Sequence, residues 1–189
     1  MFNLIVAVIS IALIAVLAAA SFFYGGDSFS KSSAKAEAAT LNSQAQQVAG
    51  AAVLFRIDNS GSSVSSTEPD CSTGSLSACA VNRLVAGNYL QAKPVLPARI
   101  VSKDPLSLGW VRTWSISQDG NSVYVFLNED NQNGICEEVE RQGGAPRGTV
   151  TGTLTAEDFE LDDPSSPPFR CADFDLGGGL VLTAFGFRI

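Results

Sequence analysis

With 189 residues, no histidine and a formal charge of -7, the chain has room for one modest soluble domain beside a long apolar start. The acidic balance excludes the basic face that a phosphate backbone requires, so no nucleic-acid binding is expected. Without histidine, neither a Ser-His-Asp nor a Cys-His arrangement can form, and no enzymatic activity is expected.

Met1 to Tyr24 carries no charged side chain and only Asn3, Ser10 and Ser21 as polar interruptions. As a helix it would reach roughly 36 Å at about 1.5 Å per residue, against a bilayer hydrocarbon core of about 30 Å. Three fates fit such a segment: a secretory signal peptide, a permanent anchor, or the inserted half of a long helix that leaves the membrane to pack in a filament. Leu17-Ala18-Ala19-Ala20 before Ser21 has the small residues of a cleavage site, but the basic n-region of a signal peptide is missing. Lys31 and Lys35 follow the apolar run rather than precede it, and Arg56 is the first arginine. A short basic leader removed ahead of Met1 would account for that order, so a processed filament subunit is the expected fate.

Gly25-Gly26 is expected to interrupt the helix, since each glycine costs about 1 kcal/mol relative to alanine in a helix interior. The helical pattern resumes from Asp27 to Arg56, where Ala34, Ala38, Leu41, Ala45, Val48, Ala52 and Phe55 alternate at spacings of four and three along one face. From Leu41 onward that stripe suits packing on the chain's own domain. Ser32, Ser33, Ala36 and Ala39 on other faces would let neighbouring helices approach closely. A helix of this length exceeds what one small domain can cover.

Asp58 to Asp70 reads as a surface loop, and Cys71 to Ala86 as a short helix around Leu76, Ala80 and Leu84 that stops at Gly87. Asn88 to Leu108 contains Pro94, Pro97 and Pro105 and reads as a connector with one short strand near Arg99 to Val101. The strongest strand signals are Val111 to Ser117 and Ser122 to Leu127, which flank Gln118-Asp119-Gly120-Asn121 as a hairpin. Thr149 to Thr155 and Leu180 to Phe187 supply further strands, with Pro164 to Phe169 as a loop. Trp110, Trp114 and Tyr124 are expected in the core. The fold class is therefore α+β: a long helix over residues 1–56 packed on an antiparallel-sheet head over residues 57–189.

Four cysteines in a domain attached to a membrane-inserted start read as two disulfides. Three pairings are open; Cys71 with Cys79 closes a short local loop, which favours that pair together with Cys136 and Cys171.

Glu129 to Glu140 scans as a twelve-residue calcium loop. Oxygen ligands fall at Glu129, Asn131 and Asn133, Gly134 takes the sixth place, and Ile135 offers its carbonyl. Glu137 and Glu140 occupy the ninth and twelfth places, so calcium is the one cofactor the sequence suggests. A polar turn ahead of a short helix would have the same composition. Ser28-x-x-Lys31 and Ser32-x-x-Lys35 match a Ser-Lys pattern by count alone, and Gly177-Gly178-Gly179 lacks the strand-to-helix setting of a phosphate loop.

The apolar start at Met1-Phe2, the long two-part helix, the loop holding Cys71 and Cys79, the sheet, and Cys136 and Cys171 around the last region together resemble a mature type IV pilin. The resemblance covers the whole chain as layout, and only the N-terminal third in a motif-like way. It implies a homopolymer whose core is formed by Phe2, Leu4, Ile5, Val8, Ile11, Leu13 and Leu17, with the head facing solvent and a disulfide-bounded surface region. It also implies an N-methylated Met1, residence in the inner membrane before assembly, delivery by a pilus assembly machinery, and an extracellular filament in which this chain is a major subunit. Adhesion, motility, DNA uptake and conjugation would all be compatible. The family's usual glutamate falls at Ile5 here, and Gly25-Gly26 stands where a helix-breaking proline is common. A different class of function, a membrane-anchored extracytoplasmic binding domain using the acidic Glu129 to Glu140 loop, fits the same layout without a filament.

Overall fold

A computed structural model describes residues 2–64, 76–97, 100, 113–117, 119–127, 132–150, 161, 164–175 and 181–189. Helix α1 (Phe2–Asp58) is followed by α2 (Leu76–Ala86), β1 (Ser115–Ile116), β2 (Ser122–Phe126), α3 (Gln132–Arg141), β3 (Ala145–Val150), β4 (Phe169–Asp175) and β5 (Val181–Arg188). The strands form one five-stranded sheet in the order β1-β2-β5-β4-β3.

The first departure from expectation is that α1 runs unbroken through Gly25 and Gly26. The helical ladder on either side carries the backbone through both positions, because the propensity cost of two glycines is small beside cooperative propagation of the helix. Fifty-seven residues give a rod of about 85 Å.

The stripe read from the sequence packs the C-terminal half of that rod on the sheet. Ala38, Leu41, Ala45, Val48 and Ala52 are all buried, joined by Ala49 and Ala51. Opposite them stand Val123, Val125 and Leu127 at β2, Cys171 of β4 and Phe185 of β5, in one cluster with Ala80 and Leu84 of α2 and Ile135 and Val139 of α3. The Trp114 indole N–H donates to the Gln44 side-chain oxygen at 2.9 Å, so the largest core ring buries its body while its polar edge is satisfied by α1. Trp114 and Tyr124 are core residues, as expected; Trp110 lies outside the described residues.

The sheet is mixed rather than antiparallel. Pairs β1–β2, β2–β5 and β5–β4 are antiparallel, whereas β3 runs parallel to β4, with Gly148 opposite Ala172 and Val150 opposite Phe174. A parallel neighbour needs a crossover of about a dozen residues or more, and the chain between Val150 and Phe169 is long enough to make one. Pro146 is tolerated because β3 lies at the edge of the sheet among the described residues. Strand β4 carries Arg170, Asp173 and Asp175 among its apolar residues, and this mixture hides it in the sequence. The expected strand at Thr149 to Thr155 starts earlier, at Ala145, and its second part lies outside the described residues; so do Arg99 and Val101, while Ile100 sits in a turn.

The second sheet face is apolar too. Tyr124, Phe126, Ala172, Phe174, Leu182 and Ala184 form their own buried cluster with Leu161 laid over it. Edge-on ring contacts of 5.8 Å between Tyr124 and Phe126 and 6.1 Å between Phe126 and Phe174 connect it. Every residue of β2 is consequently buried, a pattern that alternation alone would not suggest.

Local signals end the elements. Asn88 at positive φ terminates α2: the Asn88 N–H donates to Val85 O and the Tyr89 N–H to Leu84 O. The same pair of bonds ends α3, from the Gly143 N–H to Glu140 O and the Gly144 N–H to Val139 O, with Gly143 at φ 98°. The β1–β2 turn is the expected hairpin, with Gly120 at φ 73° and the Asn121 N–H donating to Asp119 Oδ1 at 3.3 Å.

A disulfide joins Cys136 of α3 to Cys171 of β4, with Cα atoms 5.7 Å apart. Cys79 is also disulfide-bonded; its expected partner, Cys71, lies outside the described residues. Replacing Cys136 and Cys171 by serine is expected to destabilise the head by about 2–5 kcal/mol, read as a lower urea midpoint for the full chain in detergent. Gly120→Ala is expected to cost about 1–3 kcal/mol, because a side chain there is strained at positive φ and its Cβ would lie 2.6 Å from that of Ser63. Gly50→Ala, in an exposed helical position with open space, should instead stabilise by about 0.5–1 kcal/mol in the same measurement.

Candidate interaction surface

From Leu4 to Ser21, α1 projects from the head with none of its residues buried. Exposure is high on every side: Leu4 72%, Ile5 58%, Val8 59%, Ile11 68%, Leu13 59% and Leu17 66%. Phe2 belongs to the same helix; Met1 lies outside the described residues. The two hydroxyls in the span bond inward, Ser10 to Val6 O and Ser21 to Leu17 O, both at 2.8 Å. The backbone is satisfied by the helix and the hydroxyls by the preceding turn, so no polar group here requires water. The span is long and apolar enough to cross a membrane. Ten large aliphatic side chains stand exposed along it; at on the order of 100 Å² each, covering them is worth roughly 25 kcal/mol.

A second exposed apolar surface lies at the other end of the same helix, on the side turned from the sheet. Val53, Leu54 and Ile57 are 40%, 55% and 69% exposed, and Gly50 precedes them in open space. The sequence reading missed this ridge because it followed only the buried stripe. The available signal was that Ala51 to Phe55 is apolar on all sides of the helix, not on one. Beside the ridge, Phe55 takes Tyr89 edge-on at 5.4 Å and the Arg83 guanidinium over its face at 5.6 Å. Burial, then the neighbouring Asp58 carboxylate, holds the Tyr89 phenol above its ordinary pKa, so it stays neutral around pH 7.

The acidic stretch read as a calcium loop is helical from Gln132 onward. Asn133, Gly134, Ile135, Glu137 and Glu140 therefore follow a helical path, with the Ile135 side chain in the core. Gly134 approaches Ala34 of α1, where an added Cβ would make ordinary contact at 3.7 Å. The Glu140 carboxylate accepts from the Arg147 backbone N–H at 2.7 Å, and Glu138, itself buried, pairs with Arg141. Glu129 and Asn131 lie outside the described residues. Among the described residues no three of His, Cys, Asp and Glu converge as metal ligands. A cleft between α1 and α3 is lined by Ser30, Lys31, Ala34, Gly134, Glu137, Glu138 and Arg141, its two cations and two carboxylates balancing at the neck from which α1 emerges.

One polar network that no motif or spacing announces lies across β3, β4 and β5. Arg147 donates through Nε to Asp173 Oδ2 at 2.9 Å and through Nη2 to Oδ1 at 2.6 Å, and Nη2 also donates to Thr183 Oγ1 at 3.0 Å. The Thr183 hydroxyl in turn donates to Asp173 Oδ1 at 2.6 Å. Thr183 is buried while the ion pair is partly exposed. This network is a clamp that ties the parallel strand β3 to the sheet.

No family of known proteins, no curated protein and no solved structure matches the chain.

Arg147→Ala would leave Asp173 and Thr183 with unmet hydrogen bonds. A loss of about 1.5–3 kcal/mol is expected in the urea midpoint of the detergent-solubilised chain. Arg147→Lys should restore only part of it, since an ammonium cannot make the two-pronged contact.

Proposed function

We propose that this chain is a structural subunit that polymerises through the apolar half of α1 into an extracellular filament of the type IV pilus kind. It has no catalytic role, and the acidic head faces solvent along the filament. Before assembly the apolar span resides in the inner membrane, from which an assembly machinery draws the subunit.

One observation supports this above the others: residues 4–21 are exposed on every face. A helix that packs only on its own domain keeps one polar side. A helix apolar all round must be surrounded, first by lipid and then by other helices. The continuity of α1 from Phe2 to Asp58 adds to this, because the head is carried on the same rod that would enter the filament core.

Electron microscopy of material sheared from producing cells, with mass spectrometry of the intact subunit, tests the proposal. Expected are thin filaments whose subunit begins at Met1 with one added methyl group and lacks four thiol hydrogens. Absence of filaments, with the chain retained in the membrane fraction or beginning at Ser21, would overturn it in favour of an anchored or secreted binding domain.

A further inference from the structure

We propose that α3 is a clasp, locked by the Cys136–Cys171 bridge, that sets the point at which α1 leaves the head. This goes beyond the filament reading and holds equally for an anchored domain.

Helix α1 enters the head just after its weakest stretch. Gly25, Gly26, Ser28, Ser30, Ser32 and Ser33 lie close together there. Glycine gives up the most backbone freedom in a helix, and serine competes with the helix for backbone hydrogen bonds. The residues that follow are nonetheless covered: Ser33 and Ala34 are half-buried, and Glu37 and Ala38 are buried. Helix α3 contributes that cover. Ser30, Lys31 and Ala34 share a cleft with Gly134, Glu137 and Arg141. Gly134 lies against Ala34, so that an added Cβ would stand 3.7 Å from the alanine methyl, and the Gln142 side-chain amide donates to Lys35 O at 3.4 Å. Other parts of the head take hold further along. Gln44 accepts from the Trp114 indole and donates to Val95 O, and Arg56 donates to Gly120 O.

By itself α3 is ill-suited to hold this position. Its 10 residues fall short of the length at which an isolated helix is stable in water. Gly134 weakens its start, and Glu137, Glu138 and Glu140 stand in its second half, where the helix dipole favours cations. Its buried face is narrow, made by Ile135, Cys136 and Val139. One of those three is the cysteine bonded to Cys171 of β4, a strand that lies between β5 and β3 in the sheet. The bridge therefore fixes α3 to the interior of the sheet, and Gly134 and Gln142 pass that fixed position on to residues 30–35 of α1. Both cysteines are buried, so the bond acts as a permanent lock and not as an exposed thiol switch. Releasing α3 would leave the head holding α1 from Ala38 onward, and freeing residues 30–37 would lengthen the uncovered rod by about 12 Å.

Hydrogen exchange read by mass spectrometry on the full chain in detergent tests the clasp. Tryptic cleavage is a second readout, since Lys31 and Lys35 are the first tryptic sites in the chain. With Cys136→Ser and Cys171→Ser combined, the amides of residues 31–37 are expected to exchange at least tenfold faster than in the parent, and cleavage after Lys31 and Lys35 to accelerate with them. Residues 41–52 should keep parental protection. Gly134→Leu, which wedges α3 away from Ala34 with the bridge intact, should give the same local pattern. Arg147→Ala, which loosens β3 without touching the contact between α1 and α3, should leave residues 31–37 at the parental rate. Parental exchange at residues 31–37 in the bridge variant, equal acceleration of residues 31–37 and 41–52, or acceleration of residues 31–37 by Arg147→Ala would each overturn the clasp. If the bridge variant does not fold, Gly134→Leu decides alone, and parental exchange at residues 31–37 in that variant overturns it.

Discussion

One continuous helix imposes two incompatible demands on this chain. Its C-terminal half is the spine of the head, where Leu41, Ala45 and Val48 lie fully buried against the sheet. Its N-terminal half carries enough uncovered aliphatic surface that water is an unfavourable surrounding for it. Because no joint separates the halves, whatever covers the first half also fixes the position and orientation of the head. The fold can be understood as the means by which a small domain grips one end of an 85 Å rod, about 1.5 Å per residue, firmly enough for the other end to be used.

That grip is distributed. The sheet has an apolar cluster on each face, so α1 is one wall of a core that also has an opposite side. Helix α3 lies across α1 near Ala34 and Lys35 and is bound to β4 by the Cys136–Cys171 bridge. Strand β3, the edge, would be the weakest member, since Pro146 withholds a donor and Gly148 has no side chain to pack. A Cβ at Gly148 would press on the buried Arg170 guanidinium, which would have to shift to admit it. The Arg147–Asp173–Thr183 clamp compensates along that edge, and Glu140 reaches from α3 to the Arg147 backbone to close the corner.

Legibility followed the physical range of each signal. The buried stripe of α1 and the Asp119-Gly120 hairpin are written in neighbouring residues, and both were readable. Helix α2 was readable as an element, although Asn88 rather than Gly87 takes the positive φ at its end. The helical path of the Glu129 to Glu140 stretch from Gln132 onward was not legible in its ligand-like spacing; Ile135, Cys136 and Val139 recur at helical spacing and are buried against the core. The parallel pairing of β3 and the charged strand β4 depend on partners far along the chain. Arg170 and Asp173 look like loop residues until Pro146 O and Arg147 are brought to them. The Val53–Leu54–Ile57 ridge was hidden for the opposite reason: its residues were apolar in a region where apolar residues were already accounted for by burial.

On the filament reading, Ile5 changes where assembly gets its precision. With no acid before Asp27, the apolar half offers no charge to meet a neighbour's terminal amine at a fixed height, and aliphatic surface is tolerant of sliding. The Ser10 hydroxyl, which donates to Val6 O, keeps lone pairs that can accept from such an amine, but a neutral acceptor sets the height more weakly than a carboxylate. Register must then be set where surfaces are shaped rather than greasy, which in this molecule is the head. An uncharged core with a shaped rim lets helices move axially past one another at low cost while the heads resist. Such a filament would owe its cohesion to residues 4–21 and its geometry to the head that the same helix carries.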